Sequence, residues 1–134
     1  MTPISWINAV VGKPWVDRAE GPAAFDCWGL VVDSFRRIDG VEIEPVAGYD
    51  TGAPIDQAGP TEQSSGRWVE VQGPQHGAVF CCYTATGSMA HVGRVLHAVG
   101  AQLLCVHARN TVSADPVRLI ERTYHTVKYF MRAE

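Results

Sequence analysis

The sequence lacks the marks of several common functional classes. Its four cysteines, at 27, 81, 82 and 105, form no Cys-x-x-Cys pair, so their spacing speaks against a zinc knuckle. Positive charge is scarce: 11 Lys and Arg stand against 14 Asp and Glu, a net charge of −3, which leaves no basic footprint for nucleic acid. There is no Lys/Arg-rich amphipathic stretch of the kind that lies on a membrane, and no apolar run long enough to insert into one. The opening MTPISWINAVVGKPW has no charged segment ahead of an apolar run, so it does not read as a secretory signal; the expectation is synthesis in a cytoplasm. What is there is ordinary: 134 residues, 46% hydrophobic and 19% charged, enough for one domain spanning 1–134 with a core that needs no staples.

Thr2 and Pro3 suit a helix start, and Gly12 with Pro14 ends that helix near Val11. Residues 16–24 read as a loop. Cys27, Leu30, Val31, Ser34, Phe35 and Ile38 recur at steps of three and four, which predicts a second helix with one largely apolar stripe. Asp26 fits its N-cap, and Asp39-Gly40 closes it. Residues 44–67, rich in Gly, Pro, Ser, Thr and Gln, read as a long surface loop. Strand signals follow at Trp68–Val71, Ala78–Tyr83, His91–Ala98, Gln102–His107 and Thr126–Met131, with a turn at Val99-Gly100-Ala101 and a short helix or turn at Pro116–Arg122. Helices first and antiparallel strands afterwards predict an α+β fold.

A cysteine nucleophile needs a stabilised thiolate and a base within reach. The predicted helix start offers Cys27 free N–H groups and the positive end of a dipole, so the expectation is a lowered thiol pKa and alkylation at mildly acidic pH ahead of the other three cysteines. Those three read as buried, reduced core thiols, with Cys81 and Cys82 on opposite faces of a strand. Among five histidines, His91 opens a strand and His107 closes the next. A hairpin about Val99 sets the two roughly opposite each other on one face, where one could serve Cys27 as base and the other could orient it. Gly93 would leave room there for substrate or thiol. Spacing alone leaves alternatives open: a lone Cys on an apolar helix face is commonly a packed core residue, and His91, His97, Cys105 and His107 share a strand parity that could line a zinc site.

The words around these residues carry a resemblance. Gly12-Lys-Pro-Trp15 and Phe25-Asp-Cys-Trp-Gly-Leu-Val31, followed in order by Gly77-Ala-Val-Phe80, Met89-Ala-His-Val-Gly93 and Cys105-Val-His-Ala108, resemble the motifs of NlpC/P60 cysteine peptidases. The resemblance implies a papain-like core, its N-terminal helices packed on an antiparallel sheet of about five or six strands. It implies Cys27 as nucleophile, His91 as general base and His107 as the orienting third residue, with no metal or organic cofactor. Asp26, Trp15 and Trp28 are then expected to contact substrate, and the substrate implied is a peptidoglycan stem peptide. Three positions depart from the common pattern. Trp28 replaces the usual Ser and is similar to versions found in phage tail assembly and tail tip proteins. Ala78 replaces an Asp outside the triad. Trp15 replaces an active-site Tyr, and an indole N–H can donate but not accept. The phage-like version implies a virion tail component made in the host cytoplasm, with other tail tip proteins as partners, and neither nucleic-acid binding nor membrane insertion.

Overall fold

The computed structural model describes residues 1–134. Helix α1 (Pro3–Val10) begins where Thr2 accepts a hydrogen bond from the Ser5 N–H, and α2 (Cys27–Ser34) begins where the Asp26 carboxylate accepts one from Gly29 at 2.6 Å. A π-helical turn over Phe35–Asp39 continues α2 and closes on Gly40 in the left-handed region. The Trp6 indole donates to Asp33 at 2.8 Å and ties α1 to α2.

Six strands form one antiparallel sheet: β1 (Trp68–Val71), β2 (Val79–Tyr83), β3 (Met89–His97), β4 (Leu103–Ala108), β5 (Val112–Pro116) and β6 (Thr126–Arg132), in spatial order β1-β6-β2-β3-β4-β5. Alternation splits the core. Cys81 and Val92 pack with Val31 and Phe35 of the helical segment on one face, while Leu96 and Val106 meet Trp6 and Leu30. Phe80, Cys82, Val95 and Cys105 pack on the other face with Ile120 of α4 (Val117–Thr123). The two adjacent cysteines do point to opposite faces, and all four thiols are free. The fold is the expected α+β arrangement of helices on an antiparallel sheet. No helix is long and apolar enough to cross a membrane.

Two elements depart from expectation. Residues 44–67 are not one open loop: turns over 47–52 lead into α3 (Ile55–Gln63). Gly59 and Pro60 make this a poor helix by local propensity. Tertiary contacts override that. Met89 packs where a Gly59 side chain would sit, Glu62 is clasped by Arg67 and the Trp68 indole, and the Tyr83 hydroxyl donates to Gln63 at 2.6 Å. The second departure is β5, an edge strand ending in Pro116 that had no strand signal of its own.

Candidate active site

Cys27 is the first residue of α2 and half-buried. Its position depends on Gly29. The loop over 16–24 lies against the helix start, with Asp26 N–H bonded to the Ala19 carbonyl at 2.9 Å, and a side chain at 29 would stand 2.0 Å from that same oxygen. Cys27 and His91 line one open cleft of about 460 Å³, together with Trp15, Arg18, Tyr49, Arg109 and Tyr124. The backbone N–H groups of Val92, Trp28 and Cys27 itself favour the thiolate.

His91 gets its aim from an irregularity. Cys82 pairs with His91 but Tyr83 pairs with Met89, so Ala90 is an extra residue in β3, a bulge at the mouth of the cleft. The hairpin brings the histidines together less directly than their spacing implies. Arg94 pairs with Val106, and continuing that register sets His107 opposite Gly93, two residues from His91. The rings still meet diagonally, with His91 Nε2 2.7 Å from His107 Nδ1. Gly93 does not leave room for substrate. The Phe80 ring fills that space, 2.4 Å from where a Cβ would be, and lies edge-on to both imidazoles.

The relay extends to a residue the sequence did not reveal. His107 Nε2 lies 2.7 Å from Asp115 Oδ2 on β5, and the Ser113 hydroxyl donates to the same oxygen at 2.9 Å. A carboxylate can only accept, so His107 Nε2 carries the hydrogen there. Its Nδ1 must then accept from His91 Nε2–H. This leaves His91 Nδ1 as the unprotonated nitrogen, with no protein partner, in a ring that lines the same cleft as Cys27. Tyr124 stacks on that ring with 18° between planes.

The resting charges differ from the expected lowered thiol pKa. Burial, reinforced by the Asp26 carboxylate, pushes the Cys27 thiol up to about 12 against the pull of its N–H neighbours. Burial, followed by the charges of His107 and Arg109, pushes His91 down to about 3. Burial also lowers His107, although Asp115 opposes it. Near neutral pH the free protein therefore holds a neutral thiol and a neutral imidazole in one cleft. Burial also takes Cys81 and Cys105 to about 12, so charge state does not single out Cys27. Exposure does.

The expected substrate contacts are placed unequally. Trp15 is 43% exposed and forms part of the cleft wall. Trp28 lies elsewhere, edge-on to Trp68 at 6.2 Å, beside a small apolar chamber under α3. Asp26 is 1% exposed and fully engaged, accepting from Gly29, from the Arg18 N–H at 2.9 Å and from the Tyr49 hydroxyl. Tyr49 belongs to the 44–67 segment and was not anticipated; it brings a phenol hydroxyl to a site where Trp15 has none. The zinc arrangement does not form. Cys105 is core, His97 is an exposed partner of His76, and no three potential ligands converge.

Comparison with known proteins agrees with this architecture. The model of the NlpC/P60 family matches residues 12–131. Among solved structures, the NlpC/p60 domain of the peptidoglycan hydrolase SagA is similar, with a TM-score of 0.58 and 19% identity over 97% of this chain and 95% of that one; at such identity the likeness bears on the fold. No curated protein sequence matches the chain.

Proposed function

Since the chain belongs to the NlpC/P60 family, we propose that it is a cysteine peptidase that cleaves peptidoglycan stem peptides, with Cys27 as nucleophile, His91 as general base and His107 as its orienting partner. The observation that carries this reading is the shared cleft, lined by a helix-start thiol and by an imidazole whose one free nitrogen is unprotonated. The similar SagA domain comes from a peptidoglycan hydrolase, which supports the substrate class.

The chemistry follows from the proton inventory. On attack, His91 Nδ1 takes the Cys27 proton as the sulfur bonds to the substrate carbonyl carbon. Charge moves to the carbonyl oxygen, where the Cys27 backbone N–H is the available donor. His91 then gives its proton to the departing amine nitrogen, leaving a thioester. A water attacks that acyl carbon as His91 accepts a water proton; the C–S bond then breaks, the acid leaves, and His91 returns its proton to the Cys27 sulfur. A neutral resting pair makes proton transfer concerted with attack. Digestion of purified peptidoglycan tests the assignment: Cys27→Ala should release no stem peptides while melting like the wild type. Equal release by both proteins would end the proposal.

The setting we propose is a phage or phage-like tail, with other tail tip proteins as neighbours and the virion as location. Its support is the Trp at position 28, the form similar to tail proteins. Antibody labelling of purified particles tests it; label found only on the producing cell's wall would refute it.

A further inference from the structure

We propose that Arg109 anchors a carboxylate of the substrate next to the scissile bond. This rests on the peptidase reading of the cleft and adds to it the kind of group the substrate must carry. Six of the nine arginines, at 18, 36, 37, 67, 94 and 132, sit in ion pairs. Arg118 and Arg122 belong to α4, away from the cleft. Arg109 is the one guanidinium that lines the cleft without an acidic or carbonyl partner. Arg18 on the same wall is already held by Asp17 and by the Ala53 carbonyl at 2.7 Å. Asp17 is thereby paired, so Arg109 is the one unpaired charge among the residues that line the cleft.

An unpaired arginine is ordinarily a solvated surface group. Placement and bracing separate this one. It stands two residues after His107, in the turn joining β4 to β5, and that turn is fastened to the segment carrying Trp15. Trp15 N–H bonds to the Asn110 carbonyl at 3.0 Å, Val112 N–H to the Lys13 carbonyl at 2.9 Å, and Gly12 N–H to the Val112 carbonyl at 2.9 Å. The guanidinium lies 5.9 Å from the Tyr124 ring centre, and Tyr124 stacks on His91. Its charge is felt by both His91 and His107, so it is within electrostatic reach of the reacting groups. A planar fork on a braced turn suits bidentate capture of a carboxylate better than a flexible point charge would. Because the turn that carries it is fastened at the cleft wall, a carboxylate held by Arg109 also holds the carbonyl near Cys27.

Two stem tetrapeptides that differ in one group serve as probes. One carries a free α-carboxyl on its γ-linked D-glutamyl residue, the other a carboxamide there. Binding is measured calorimetrically on the Cys27→Ala protein, and cleavage on the active protein. The acid peptide should bind and be cleaved roughly ten- to a hundredfold better. Arg109→Gln should abolish the preference for the acid peptide over the amide in both binding and cleavage, and Arg109→Lys should restore part of that preference. An unaltered melting temperature shows that the variants fold. Equal handling of both peptides by the wild type, or a preference that survives Arg109→Gln, overturns the anchor while leaving the peptidase reading standing. Failure to cleave either peptide sinks the peptidase reading instead. The binding measurement then still decides the anchor: an acid preference lost with Arg109→Gln supports it, and no binding of either peptide refutes it.

Discussion

At position 27 the helix start and the surrounding protein act in opposite directions. N–H groups of Cys27, Trp28 and Val92 favour the thiolate, but burial and the Asp26 carboxylate outweigh them. Alkylation should therefore be slow at mildly acidic pH and accelerate steadily above pH 8. Cys27 should still react first, because Cys81, Cys82 and Cys105 are buried. Peptide mapping after iodoacetamide treatment across pH reads both expectations, and rapid labelling at pH 6 would mean a preformed ion pair. The relay predicts a graded series. His91→Ala removes the base and should cost about 10²- to 10⁴-fold in kcat. His107→Ala should cost less, since it orients the base without accepting the proton from sulfur. Asp115→Ala should cost less again, with KM nearly unchanged, because it acts through His107. An Asp115 variant as impaired as the His91 variant would require a different proton route.

Among the elements, β3 does most to set the site. Its bulge at Ala90 turns His91, and its glycine at 93 admits Phe80 beneath both imidazoles. Gly93→Ala would drive a methyl group against that ring and against the Val106 carbonyl, at 2.7 Å. Overpacking of this kind costs about 1–3 kcal/mol. The midpoint of a urea melt should fall accordingly, and kcat should fall with it as the imidazoles are displaced; a variant with unchanged stability would show that Phe80 can move freely. The elements also explain what sequence reading missed. β5 is a five-residue edge strand containing Asp115 and Pro116, residues poor in strand propensity, and with the strand unread its carboxylate stayed out of view. Helix α3 was hidden in the same way behind Gly59 and Pro60, and the segment that carries it also carries Tyr49 to Asp26.

For the molecule as a whole, the buried histidines make stability depend on pH. His91 titrates near 6.5 when unfolded but near 3 when folded, so the unfolded chain binds the extra proton first as pH falls. Its contribution is fully present above pH 6.5 and is lost between there and pH 3, at about 1.4 kcal/mol per pH unit while the difference lasts. His107 and His76 are lowered as well and act in the same direction. Thermal melts should show a falling Tm from pH 6.5 downward, and His91→Asn should flatten that slope. A Tm independent of pH in this window would contradict the burial of His91.

The sequence by itself determined what is local or repetitive. The apolar spacing after Asp26 set the helix that begins at Cys27 and its cap, four of the six strands followed from alternation and turn residues to within two residues at each end, and a fifth matched throughout. The FDCWGLV and HVG words marked Cys27 and His91. Tertiary structure alone decided which groups touch. The diagonal meeting of His91 and His107 depends on strand register, the Asp115 contact on an edge strand, and the resting proton positions on how much water the folded chain excludes. Periodicity encodes which face a residue takes; register, burial and the approach of distant segments arise only when the whole chain is packed together.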